Sequence, residues 1–139
     1  MTTRSSGFTL IELLVVVAIL GIISAIGIVS YNGYVSSAKK KSAENIILQI
    51  SLAQSEYYSD NDNYFFTRTC SITGKSDPSN EIEKELLGGA DVIVEKVGYE
   101  FCVEAFSDGY KIKTEEQDTS KPCIMTYTHK SVLDKNSNC

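Results

Sequence analysis

Three positions near the N-terminus have the residue types and spacing to do chemistry together: Gly7, Phe8 and Glu12. They lie in "GFTLIELLVVVAILGIISAIGIV", residues 7–29, where Glu12 is the one charged side chain. A carboxylate in a segment fit for lipid is costly, so its presence is a pointer to function. Cutting the Gly7–Phe8 bond would turn a neutral amide into a free α-amino group on Phe8. Glu12 follows four residues later, on the same helix face. It could pair with that amine, or with the amine of a neighbouring helix staggered by one turn. The simpler reading places Glu12 near the cytoplasmic face, within reach of water and favoured by the helix N-terminal dipole.

The second set is Cys70, Cys102, Cys123 and Cys139, all in the C-terminal part of the chain. An even count in a small domain beyond a membrane segment favours disulfides and an oxidising compartment. The spacings fit no CxxC zinc or thioredoxin pattern. The expected pairs are Cys70–Cys102 and Cys123–Cys139. Cys139 needs tying down as a tail residue, and Cys102 lies mid-strand where it can anchor the loop holding Cys70. The alternative is Cys70–Cys123 with Cys102–Cys139, if the tail crosses the first strand.

Other polar groups suggest little chemistry. His129 is the only histidine and has no Ser, Cys or acid at motif spacing. Asp60 and Asp62 stand in calcium-loop step, but the Gly and the distal bidentate Glu of such a loop are missing. There is no Gly-rich phosphate loop and no metal-ligand spacing, so neither an enzyme nor a cofactor is expected. The net charge of −5 argues against a nucleic-acid surface as a bulk property; DNA remains a partner only through a local patch.

The elements that must position these residues begin with the apolar run. Leu13 to Val29 carries no charge. About 20 residues at about 1.5 Å each span about 30 Å, one bilayer core. A cleaved secretory signal is disfavoured by the short "MTTRSSG" leader and the lack of an A-x-A-like site. Apolar periodicity continues through Val35, Ala38, Ser42, Ile46, Ile50, Ala53 and Tyr57, and no Pro occurs before Pro78. One helix is therefore expected from Phe8 to Ser59. Gly21 and Gly27 would let a second helix approach closely, though glycine is also common in membrane helices.

Beyond Tyr58, "SDNDN" breaks the helix. A short helix is expected in "NEIEKELLGG", with Asn80 as N-cap, Glu83 in the capping-box position and Gly88 at its end. "VGYEFCVEAF" alternates like a half-buried strand, Ser107–Gly109 turns the chain into "YKIKT", and "CIMTYTHK" supplies a third strand. "SVLDKNSNC" reads as a polar tail. The expected class is α+β: a long N-terminal helix, membrane-spanning in its first half, packed on a small antiparallel sheet.

"GFTLIELLVVVAILGIISAIGIVSYNGY", residues 7–34, resembles the N-terminus of type IV prepilins and the related pseudopilins, with Arg4 in a short basic leader ahead of it. The resemblance implies cleavage between Gly7 and Phe8 by a membrane aspartic peptidase, the prepilin peptidase, and N-methylation of Phe8 by the same enzyme. It implies that Glu12 guides each subunit into register by meeting a neighbour's N-terminus. The long helices then pack into a filament core, with the pilus assembly machinery and copies of itself or other pilins as partners. Many family members have Pro where this chain has Val29, which implies a straighter helix here. Lys39, Lys40 and Lys41 outnumber Arg4, against the positive-inside rule, but they begin about ten residues past the apolar end, where their influence is weaker.

The implied organisation is a leader at 1–7, a transmembrane and assembly half at 8–30, an amphipathic half at 31–59, and a disulfide-bonded head at 60–139. The implied location is the inner membrane for the precursor, N-terminus inside, and an extracellular pilus after assembly. Of three functions, a pilus subunit leads, because exposed pilus heads resemble disulfide-stapled domains more often than pseudopilins do. A type II secretion pseudopilin is second. A monomeric membrane-anchored binding module is third, since a plain tether needs neither Glu12 nor the Gly7–Phe8 junction.

Overall fold

The structure, a computed structural model, describes residues 7–70, 78–93, 97–117 and 119–139. Arg4 and residues 71–77, between Cys70 and the second helix, lie outside the described residues. The chain divides into two compact units, one through Ala38 and one from Lys39 to Cys139.

A single helix, α1 (Leu10–Asn61), runs through both Gly27 and Val29. It starts two residues after the expected boundary and ends two residues beyond it. The end is set by Asp62, whose φ of 53° leaves the right-handed helix while its N–H still donates to the Tyr58 carbonyl at 2.9 Å. Asp tolerates that left-handed conformation better than most side chains do.

In the second unit, α1 buries Ala43, Ile46, Ile47, Ile50 and Gln54. Ile46 and Ile50 belong to the expected stripe, but Ser42 is exposed. The buried line follows the steps 43, 46, 47, 50 and 54, the spacing of a helical face. The expected stripe runs along one edge of that face, joining it at Ile46 and Ile50 and staying half-buried at Ala53 and Tyr57.

The second helix, α2 (Pro78–Glu85), begins before Asn80, which is therefore not its N-cap. Pro78 explains the earlier start: its fixed φ and missing N–H suit the first helical position. Glu83 does not serve a capping box either; its Oε1 accepts from the Ile93 N–H at 2.6 Å. The helix ends at Glu85, three residues before the expected Gly88. Gly88 has φ 66°, where glycine carries no Cβ penalty, and the Gly89 N–H donates back to the Glu83 carbonyl at 2.8 Å, closing the turn after the helix.

Four strands form one antiparallel meander in the order β1 (Tyr99–Phe106), β2 (Gly109–Glu116), β3 (Ile124–Thr128), β4 (Leu133–Lys135). The register sets Val103 opposite Ile112, Ile112 opposite Tyr127, and Tyr127 opposite Leu133. Phe101, Val103, Ile112 and Met125 are fully buried in one cluster with Ile47 and Ile50 of α1. Cys102, on the opposite face of β1, is also buried. Burial, with Glu116 beside it, pushes the Tyr99 phenol up to about 12, so it stays neutral.

The tail differs from expectation, because its Leu133–Lys135 forms β4. Alternating hydrophobicity does not hold it there. Asn136 does: its N–H donates to the Ile124 carbonyl, its Oδ1 accepts from the Ile124 N–H, and its Nδ2 donates to the Pro122 carbonyl. The free edge of β1 is occupied by side chains. Thr67 exchanges bonds with Val103, and the Ser79 hydroxyl accepts from the Phe101 N–H at 3.0 Å. Such cover removes an open template for strand pairing.

Candidate functional site

The N-terminal turn of α1 brings Thr9 and Glu12 together. The Thr9 N–H donates to Glu12 Oε2 at 2.8 Å, and the Thr9 hydroxyl donates to the same oxygen at 2.7 Å. In return the Glu12 N–H reaches Thr9 Oγ1 at 3.4 Å. The first helical bond, Leu13 N–H to the Thr9 carbonyl, closes the turn at 3.3 Å. This is a capping box, in which an N-cap hydroxyl and a carboxylate three residues later satisfy each other's otherwise unpaired N–H groups. Thr9 was not singled out in the sequence, although "TLIE" has the T-x-x-E spacing that signals such a cap.

Two consequences bear on function. Every bond of the cap lies downstream of Gly7–Phe8, so cleavage there leaves the cap intact. Both side-chain bonds also fall on Oε2, which leaves Oε1 without a hydrogen bond among the described residues. Glu12 can therefore hold its helix start and still accept from an amine. Phe8, Ile11, Glu12, Val15 and Val16 line one open cleft of about 340 Å³, which puts the first residue of a cleaved chain on the same face as the carboxylate.

Gly7 has no neighbour within 4 Å of where a Cβ would stand, and its φ is not in the left-handed region. The fold itself does not require glycine there. Gly21 and Gly27 are equally open. A groove of about 540 Å³ runs over Ile23, Ser24, Gly27, Ile28 and Tyr31. Along this segment the large apolar side chains from Leu10 to Ile28 are exposed all round the helix, from 47% at Val16 to 81% at Leu10. The helix is long and apolar enough to cross a membrane.

In the head, disulfides join Cys70 to Cys102, with Cα atoms 5.3 Å apart, and Cys123 to Cys139, with Cα atoms 4.6 Å apart. No cysteine is left free. His129 packs over Gly109, where an added Cβ would come within 2.5 Å of the ring; that close approach is why β2 opens with glycine. Its Nδ1 is buried without a partner among the described residues. Asp60 and Asp62 are both exposed at the end of α1.

Residues 2–28 match the family model described as the prokaryotic N-terminal methylation motif. No curated protein and no solved structure matched the chain. The motif is the prepilin signature of type IV pilins and pseudopilins, a structural and usually non-enzymatic group. The chain thus carries the marks of a pilin-like or pseudopilin-like precursor, and the motif implies prepilin-peptidase processing and assembly. Together with the apolar helix, it fits a precursor anchored in the inner membrane.

Proposed function

We propose that this chain is a structural subunit of a type IV pilus, serving adhesion, motility or DNA uptake. The prepilin peptidase removes residues 1–7 and N-methylates Phe8. Residues 8–30 hold the subunit in the inner membrane, N-terminus inside, until assembly. They then pack against copies of themselves or other pilins, while residues 31–59 carry the head at 60–139 outside the membrane. Glu12 Oε1 receives the Phe8 ammonium of a neighbouring subunit during that step.

The observation that carries this reading is the all-round exposure of the large apolar side chains from Leu10 to Ile28 behind a methylation motif. A helix apolar on every side is stable only when surrounded by apolar material. Lipid supplies that before assembly, and neighbouring helices supply it afterwards. A plain tether would need the lipid but not the processing junction.

The test is to shear surface filaments from cells and identify their subunits by intact-mass spectrometry. The expected species lacks residues 1–7, starts at Phe8 and is heavier by one methyl group. Recovery only from the cell envelope, with loss of protein secretion on deletion, would instead assign the chain to a secretion pseudopilus. Residues 1–7 retained on assembled protein would overturn both readings.

A further inference from the structure

Within the second unit, α1 presents a face that the head does not cover. Leu48 and Leu52, one turn apart, are 49% and 72% exposed. Leu52 borders an open groove of about 620 Å³ between the end of α1 and the end of α2, lined also by Glu56, Asp60, Glu85 and Leu86. Among the described residues, none of these three carboxylates makes an ion pair. The C-terminus of α2 opens on the same groove, and helix C-termini favour cations. An apolar floor ringed by carboxylates suits a lysine, whose stem is apolar and whose head is charged.

The chain itself carries a matching group. Lys39–Lys41 is its only run of three consecutive basic residues, in a protein of net charge −5. Lys40 is engaged with the main-chain oxygen of Cys139 at 2.9 Å. Lys41 touches Glu44, but its side chain remains 74% exposed and Glu44 is shared with Lys135. Lys39 is exposed and has no ion pair among the described residues.

Lys41 and Glu56 are fifteen residues apart on one helix, about 22 Å at about 1.5 Å per residue. They cannot meet within a copy. Copies inserted through the same N-terminal helix run parallel, so one displaced along its axis by about that distance sets its lysines at the groove of the next. We propose that the groove between α1 and α2 is a docking surface for a second copy of this chain, filled by its Lys39–Lys41 turn. The parallel arrangement rests on the pilin reading above; the docking adds a contact between heads.

Zero-length carbodiimide cross-linking of intact cells tests this, because the reagent joins only carboxylates and amines already in contact. Lys41–Glu44 lies within one copy at 2.9 Å and serves as the internal control. The expected result is a second set of cross-linked peptides joining Lys39 or Lys41 to Glu56 or Asp60, which helix length makes intermolecular. Their yield should reach at least about a tenth of the control. E56Q with D60N should remove them more than about tenfold and leave the control unchanged. Filaments that contain the chain but yield only the control link would overturn the docking while leaving the pilus reading intact. Absence of the chain from filaments would count against the pilus reading, and the cross-links recovered from membranes would then decide the docking alone. Lys39 and Lys41 linked instead to other proteins would also overturn it.

Discussion

Thr9 and Glu12 cap one another at the start of α1, and they do so through a single oxygen of the carboxylate. An acid in an apolar helix thereby gains a local structural use beside any intermolecular one. The two uses draw on different atoms, so they can be separated by substitution.

Glu12→Gln makes that separation. Gln can still fill the third helical position of a capping box, so the helix start should hold. The negative charge that would meet an α-ammonium is gone. Membrane insertion should be unchanged or improved, while filament abundance should fall at least about tenfold, because the ammonium loses its charged partner. Thr9→Val should do the reverse, weakening the cap by about 1 kcal/mol with the charge retained. Quantifying sheared filaments beside membrane-fraction precursor for both variants checks the split. Normal assembly of the Gln variant would reduce Glu12 to a cap.

Gln54 is the buried polar residue on which the chain reversal after α1 depends. Its Nε2 donates to the Phe65 carbonyl at 2.8 Å, and its Oε1 accepts from the Phe65 N–H at 3.0 Å. Gln54→Leu keeps the volume roughly constant and leaves both main-chain groups of Phe65 unpaired. The expected cost is about 1–3 kcal/mol, from two partly buried groups losing their partners. Urea unfolding of the detergent-solubilised chain, followed by tyrosine fluorescence, should show an earlier midpoint with an unchanged slope. A midpoint matching that of the unmodified chain would mean water replaces the amide.

Gln54 also marks where sequence reading stops. Hydrophobic periodicity finds Ile46 and Ile50 but assigns an amide to the solvent side, because pattern alone cannot see a main-chain partner eleven residues away. β4 escapes for the same reason: Asn136 holds it, and a side chain bonding the main chain of Pro122 and Ile124 leaves no period in "SVLDKNSNC". What was legible was local. The long apolar helix, the meander of β1 to β3 and the α+β class follow from composition and alternation, and the methylation motif is contiguous. The Thr9 cap is legible too, since "TLIE" has the T-x-x-E spacing of a capping box ahead of an apolar run.

The Cys123–Cys139 bridge closes a loop over a sequence separation of 16 residues and holds β4 against β3. In the chain-entropy model a loop of that size is worth about 3 kcal/mol. Replacing both cysteines with serine should lower head stability by about that amount. The loss should concentrate at residues 133–139, where hydrogen exchange should quicken well before β1 and β2 respond. Uniform exchange across all four strands would show that the bridge supports the whole sheet instead.

Glu44 ties α1 to β4, and this makes the attachment sensitive to acid. Lys135 and Lys41 both donate to its carboxylate, and these bonds hold it below the usual value of 4.5, Lys135 contributing most. A carboxyl group with a lowered folded-state pKa binds its proton less readily folded than unfolded. Its stabilisation is therefore fully present above about pH 4.5 and is lost as pH falls through the folded value. Lys135→Met removes the larger cause, so the variant should be less stable near neutral pH and should lose less on acidification. Melting temperatures measured from near neutrality down to about pH 3 should converge between the two proteins as Glu44 protonates. Parallel curves across that range would mean that the ion pair contributes nothing and that Asn136 and the Cys123–Cys139 bridge hold the tail alone.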